Sequence, residues 1–308
     1  MQQLGDASPH LMRSEHRESK GVLTLAVGNK PYIAQAINLA RSIRVHNPQL
    51  PLAVVTDSNE RRLLRAFDIV HQLNADLGGP YRQKLCLDQY SQFSQTLFID
   101  SDCLVFRNLS PLFTELKTES FCTPTIQVST GTWYRDIEGW LDLLKGTAIP
   151  RHNSGCFCFA NTPDAKQFFS TALWYYDRLS EFGIPKTHSS MPDEPAIAMA
   201  LLACGIECPE FDSSVQFSPL CGTIPFNYSV LRGRIDCIRA DGVRIKPYIL
   251  HCLAGEWAHW RYRREALKLK LTVENGISNS ISETLMNSWF CAIYGWRRRM
   301  SRMLRSPS

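Results

Sequence analysis

The sequence predicts an α/β fold built on a mixed, mostly parallel central sheet with helices on both faces. Three observations carry that expectation. Short β-branched runs alternate with segments of helical periodicity from residue 21 onward. The apolar run "QTLFI" (95–99) leads straight into paired carboxylates, as a buried strand does at its ligand-binding end. A chain of 308 residues, 44% of them hydrophobic, can also bury a sizeable core.

The elements follow in order. "GVLTLAVG" (21–28) is a strand closed by Gly28, and "PYIAQAINLARSIRVHN" (31–47) repeats apolar residues at helical spacing. "LPLAVVTDS" (50–58) is a second strand, "NERRLLRAF" (59–67) a short helix and "DIVHQL" (68–73) a third strand. After "LGGPY", residues 81–93 read as one helix carrying Lys84, Leu85, Leu87 and Tyr90, which leads into the strand ending at Asp100. The second half is less regular. Strands are expected at "SFCTPTI" (120–126) and "GCFCFA" (155–160), helices at 162–180 and 193–205, and closing strands near "DCIRA" and "YILHCL". No internal repeat or low-complexity linker is present, and the text turns polar beyond about residue 262. The expected organisation is an N-terminal tail (1–20), a catalytic domain (21–262) and a basic, aromatic C-terminal extension (263–308).

Composition excludes several classes. With 34 Lys+Arg against 29 Asp+Glu, the net charge of +5 is too mild for a nucleic-acid binder, and its excess lies near the C-terminus. No run of 18 apolar residues occurs, and the first twenty residues lack the apolar centre of a secretion signal. A cytoplasmic protein is expected. Eleven cysteines are an odd number in a long chain, so reduced, mostly buried thiols are expected. "CFC" (156–158) reads either as a metal pair or as core packing, and the burial preference of free Cys favours packing.

Asp100 and Asp102 stand one residue apart at a strand end, where the chain can splay so that both reach one hard cation. Oxygen ligands suit Mg²⁺ or Mn²⁺, and such ions often take only one or two protein carboxylates, phosphate oxygens completing the shell. A nucleotide diphosphate fits that chemistry. The competing reading is a turn that merely ends the strand. Asp57, closing "VVTDS", marks another strand end that faces a bound nucleotide in such a sheet.

"YRQKLCLDQYSQFSQTLFIDSDCLVFRNLSPLF" (81–113) resembles the metal-binding segment of family 8 glycosyltransferases, the glycogenin and galactosyltransferase group, where a Lys-bearing helix precedes a hydrophobic strand and Asp-x-Asp. The resemblance extends in order. "TLAVGNKPYIAQAINLARSIR" is similar to that family's first strand and helix, "HNSGCFCF" (152–159) to its Asn-Ser-Gly strand, "DEPAIAMAL" to its Asp-Gln helix start, and "HCLAGEWAHW" (251–260) to its His-x-x-Gly-x-x-Lys-Pro-Trp segment. Together these cover residues 21–260. The resemblance implies a GT-A fold, Mn²⁺ or Mg²⁺, and a UDP-sugar donor transferred with retention. It implies Asp100, Asp102 and His251 as metal ligands and Lys84 near the donor diphosphate or sugar. Thr24, Ala26 and Tyr32 would flank base and ribose, Ser101 and Gly255 would join the donor site, and Asn153, Ser154 and Gly155 would lie beside the sugar. Asp193 and Glu194 match the Asp-Gln pair facing donor and acceptor, although helix N-capping before Pro195 also explains them. Two departures stand out: "WAHW" replaces Lys-Pro-Trp, and Glu194 adds a charge where the family has Gln.

The expected function is a metal-dependent retaining glycosyltransferase that moves a hexose from a UDP-sugar to a glycan, lipid or protein acceptor. A catalytically inactive GT-A domain that binds nucleotide sugar or glycan is the first alternative. A nucleotidyltransferase is the second; it calls for a Gly-rich phosphate loop after the first strand, and "VGNKPY" is not one. "STGTWYRDIEGW" (129–140) and "EFGIPKTHSSMP" (181–192) are candidates for lining the acceptor side. The segment 286–305 mixes aromatic residues with five arginines. It is open to three readings: peripheral contact with an anionic membrane surface, docking on the catalytic domain, or disorder.

Overall fold

The computed structural model describes residues 20–187, 190–210, 224–239, 242–252, 260–286 and 288. The early apolar runs become strands β1 (Lys20–Ala26), β2 (Leu52–Thr56), β3 (Ile69–Gln72) and β4 (Gln95–Ile99), separated by α1 (Lys30–His46), α2 (Arg61–Ala66) and α3 (Pro80–Lys84). All five residues of β2 and four of five in β4 are buried, as in a strand covered on both faces. The single helix expected over 81–93 does not form. α3 stops at Lys84 and a 3₁₀ turn follows at Leu87–Gln89. The reason is burial: Gln83, Lys84, Leu85, Cys86 and Leu87 all point inward, and five consecutive side chains do not fit one helical face.

Farther along come β5 (Cys103–Val105), α4 (Ser110–Glu115), β6 (Phe121–Cys122), β7 (Ile126–Val128), β8 (Thr132–Trp133), β9 (Arg135–Asp136), α5 (Ile137–Leu144), β10 (Ile149–Arg151), β11 (Cys156–Ala160), α6 (Pro163–Tyr176) and α7 (Glu194–Ala203). The strand expected at 120–126 is split into β6 and β7 around Pro124, which has no N–H to give a ladder. The chain continues through β12 (Ile224–Ser229), β13 (Arg234–Ile238), β14 (Arg244–Ile245), β15 (Ile249–His251) and α8 (Trp260–Leu269). These elements form two compact units.

The first unit gathers residues 20–29, 50–101, 109–187 and 190–210. Its six-stranded sheet has the order β3-β2-β1-β4-β11-β6. The first four strands are parallel, while β11 runs antiparallel to β4 and to β6. In register Phe157 faces Phe98, and their rings stack at 4.7 Å. Phe121 stacks on Phe168 at 4.1 Å, and Phe159, Phe169 and Trp140 extend the same core. Cys156 and Cys158 are buried in β11. Asp100 follows β4 directly and Asp57 follows β2, so both stand at carboxyl ends of parallel strands. The packing is tight at Gly21, where an added Cβ would lie 2.4 Å from the Phe93 ring. Gly21→Ala is therefore expected to lower stability by about 1–3 kcal/mol, read as a lower urea midpoint.

The second unit gathers residues 30–49, 102–108, 224–239, 242–252 and 260–286. Here β5 pairs antiparallel with β15, placing Cys103 opposite His251, and β12, β13 and β14 form a separate antiparallel sheet. The Ser42 hydroxyl of α1 accepts from the Val105 N–H at 3.0 Å, and Asn38 donates to the Tyr262 hydroxyl at 3.4 Å. Residue 262, where the composition changes, lies inside α8. That helix runs into a π-helical turn at Lys270–Glu274.

Candidate active site

In the first unit, α3 ends by turning Lys84 inward. Its ammonium lies 3.0 Å from both oxygens of Asp100 and 3.3 Å from Asp193 Oδ2. It also donates to the Ser154 hydroxyl and carbonyl at 3.3 and 3.4 Å. Burial alone would pull this ammonium's pKa down, but the charges of Asp100 and Asp193 outweigh it and hold it above the ordinary lysine value. The Asp100 N–H is fixed in turn by the Gly155 carbonyl at 2.9 Å, and the Asn153 side chain accepts from the Gly155 N–H at 3.0 Å. Lys84, Asp100, Asn153, Ser154 and Gly155 are thus one hydrogen-bonded group, to which Asp193 is joined by its ion pair with Lys84.

Asp193 occupies the N-cap position of α7, yet its side chain makes no capping hydrogen bond. It is drawn to Lys84 instead, so N-capping does not account for it. Glu194 is held by three donors: Asn153 Nδ2 and the Ser154 N–H, each at 3.1 Å from Oε1, and the Tyr134 hydroxyl at 2.9 Å from Oε2. Burial, and then the neighbouring Asp193 charge, push the Glu194 carboxyl up to about 7 despite these donors. The same burial keeps His152 neutral, its pKa pulled down to about 4, with Nδ1 bonded to the Pro150 carbonyl at 3.0 Å.

In the second unit, His251 Nε2 lies 3.0 Å from Asp102 Oδ1. The Asp102 carbonyl accepts from the Cys252 N–H at 3.1 Å, which fixes Asp102 against the end of β15. Asp102, Cys103 and His251 present ligand atoms within 4.8 Å of one another. Burial, and beyond it the Cys252 and Asp102 charges, raise the pKa of the Tyr262 phenol and keep it neutral, a donor beside this group.

The other expected residues are distributed as follows. Thr24 and Ala26 are fully buried in β1, whereas the Tyr32 ring is half exposed on α1. Asp57 accepts from the Gly28 N–H at 3.1 and 3.2 Å, tying together the carboxyl ends of β1 and β2. Gly28 has φ +83°, a conformation that glycine adopts without strain. Ser101 is buried. Gly255 lies outside the described residues. Tyr134 and Cys103 were not foreseen as site residues. Tyr134 falls within the 129–140 segment expected near the acceptor, but nothing in the text distinguishes it from Trp133; Cys103 reads as one apolar residue of a strand.

No protein-family model matches the chain. No curated protein matches it. Similar solved structures include galactosyltransferase LgtC in complex with donor and acceptor sugar analogs, at 13% identity over 80% of this chain and 95% of that one, with a TM-score of 0.50. The glycosyltransferase GlyE of Streptococcus pneumoniae TIGR4 is 14% identical over 89% of this chain and 64% of that one, with a TM-score of 0.48. Mouse xyloside xylosyltransferase 1 in its apo form is 13% identical over 66% of this chain and 88% of that one, with a TM-score of 0.44. The parallel run β3-β2-β1-β4, its antiparallel continuation through β11, and the likeness to LgtC together give this chain the GT-A glycosyltransferase fold.

Proposed function

We propose that the protein is a metal-dependent retaining glycosyltransferase that moves a hexose from a UDP-sugar to a glycan, lipid or protein acceptor, in the cytoplasm or at the inner face of a membrane. The observation that carries this reading is the buried Lys84 ammonium clasped by Asp100 and Asp193 at the carboxyl end of β4, beside Asn153, Ser154 and Glu194. What separates this cluster from a structural ion pair is its place, with a polar loop and a helix start converging at the ligand-binding edge of a parallel sheet.

Asp100, Asp102 and His251 are the residues we assign to a divalent cation. Within the second unit the residues fit, since Asp102 Oδ1 and His251 Nε2 lie 3.0 Å apart and both could reach one small divalent cation. Carboxylate and imidazole suit Mn²⁺ or Mg²⁺, and Cys103 offers a softer donor nearby. When bound, such an ion supplies positive charge to the departing nucleotide diphosphate.

The chain's own residues do the rest. Lys84 keeps Asp100 and Asp193 fixed and neutralised, and adds a second positive centre for the charge that grows on the leaving phosphate. Asn153, Ser154 and Glu194 set the face on which the sugar rests, and Asp193 and Glu194 are the carboxylates available to a reacting anomeric centre or an attacking hydroxyl. The Asp57–Gly28 tie shapes the strand ends where a uridine would sit, with Tyr32 as the aromatic surface for the base. Thr24 and Ala26 contribute by packing β1.

The test is UDP release from a panel of UDP-sugars with Mn²⁺, with Mg²⁺ and with chelator. One donor is expected to be turned over only with metal, and Asp102→Asn is expected to lower that rate about 10²–10³-fold. Binding of a donor without turnover would instead favour a binding module. The same panel, run with vesicles containing anionic lipid and with residues 286–308 removed, tests the proposed membrane contact by flotation.

A further inference from the structure

We propose that Tyr134 is a positioning residue that locks the Glu194 carboxylate in one orientation, leaving a single acceptor direction for a ligand hydroxyl or ammonium. The proposal deepens the reading of Glu194 as a residue that faces the donor sugar. Tyr134 stands alone at the apex between β8 and β9, with Trp133 paired to Arg135 across it. Its φ is +61°. Lys145, at φ +52°, shares the left-handed region but ends α5 as its C-cap, a common place for it. A bulky aromatic residue at a hairpin apex has no such excuse, and persists there only when its surroundings hold it.

They do so from both flanks. Trp133 packs on Tyr134 at 5.4 Å and on Trp140 at 5.7 Å. The Ile137 N–H returns to the Gly131 carbonyl at 2.9 Å, Asp136 accepts from the Gly139 N–H at 2.8 Å, and the Arg135 guanidinium donates to the Phe182 carbonyl. The product of this bracing is one contact, the Tyr134 hydroxyl on Glu194 Oε2 at 2.9 Å.

A carboxylate offers about four acceptor directions. Asn153 and Ser154 fill two on Oε1, and Tyr134 fills one on Oε2. These donors reach Glu194 from the β8–β9 hairpin and from the loop before β11, so the group cannot rotate without losing a bond. Burial, followed by the Glu194 charge, raises the pKa of the Tyr134 phenol, so it stays a donor at neutral pH. The other ionisable groups facing this pair are Asp193 beside Glu194, Lys84 on α3, and Tyr81 on the Tyr134 side.

The test needs no substrate. The infrared band of a protonated carboxyl is followed in the free protein from pH 5 to 9, and Glu194→Gln identifies the band by deleting it. Tyr134→Phe removes a donor to the ionised form and is expected to move the midpoint up by about one pH unit. Site-specific 3-fluorotyrosine at position 134, a stronger donor of nearly the same shape, is expected to move it down. Opposite shifts report the strength of the hydroxyl's donation to Glu194, which a tyrosine held only by packing does not produce. A midpoint unmoved by both changes overturns the proposal, and the fluorinated protein alone decides if the Phe variant does not fold. Because nothing here depends on turnover, a missing transferase activity and a missing Tyr134 effect are separate results.

Discussion

Lys84→Met is expected to cost the first unit about 3–5 kcal/mol and to lower the proposed sugar transfer about 10²–10³-fold. The stability loss comes from what is left behind. With the ammonium gone, Asp100 and Asp193 face each other's field, and Asp193, whose side chain is 5% exposed, has no water to turn to. Asp100, at 22%, rehydrates in part, which places the cost nearer 3 than 5 kcal/mol. Asp193→Asn is expected to cost less, because it leaves Lys84 paired with Asp100 and bonded to Ser154. The pH dependence has a definite sign. The folded pKa of Lys84 is raised, so its contribution is complete at all pH values below the unfolded lysine value, near 10.4, and is lost only as pH climbs beyond that. Denaturant titration of wild type and both variants from pH 5 to 9 checks this. A Lys84→Met protein as stable as wild type would mean that the ammonium holds nothing in place.

Much of this site was legible in the sequence because its chemistry is written in spacing. Asp100 closes an apolar run and Asp102 follows at i+2, while Lys84 and Glu194 lie in segments that resemble a known family's, Glu194 standing where that family has Gln. β1, β2, β4 and β11 were legible for a simpler reason, since strands buried on both faces are unbroken apolar text. What escaped depends on contacts between distant segments. The break after α3 follows from five inward side chains, whose burial is a matter of tertiary packing rather than of local propensity. Tyr134 escaped because residue type carries no signal for positive φ in a tyrosine. The assignment of α1 and residues 102–108 to a unit completed by residues beyond 224 is a matter of tertiary contact that composition does not record. Residues 263–276 read as a polar stretch, and that text gives no sign that Glu265 and Lys268 are fully buried.

That buried charge carries the other large effect: Lys268→Met is expected to cost the second unit about 3–5 kcal/mol. The ammonium, 1% exposed, lies 3.1 Å from Glu265 and 2.9 Å from Glu283, two carboxylates only 0% and 4% exposed. Each has further partners. Glu265 takes Arg264 at 3.1 Å and the Val230 N–H at 2.9 Å, while Glu283 takes the Ser229 hydroxyl and, at 3.7 Å, Arg232, which is largely exposed. Glu283 is therefore the less protected after the substitution. Burial pushes its carboxyl pKa up, but the Ser229 and Lys268 hydrogen bonds outweigh it and hold it below the usual value. Its contribution to stability is accordingly present above the ordinary glutamate range and is lost as pH falls through the folded value. The gap between wild type and Lys268→Met should thus be full at pH 7 and narrow in acid. Replacing Glu265, Lys268 and Glu283 together by Leu, Met and Leu removes the stranded charges but orphans the Val230 N–H, at about 1–3 kcal/mol, so that protein should fall between the other two. Asp102 and His251 belong to this same unit, but Lys268 itself pairs with Glu265 and Glu283, so Mn²⁺ affinity measured well below the unfolding transition should be unchanged in Lys268→Met. A loss of affinity in the folded variant would show that Lys268 serves the site directly, and no loss of stability would show that its ammonium does not hold the unit together.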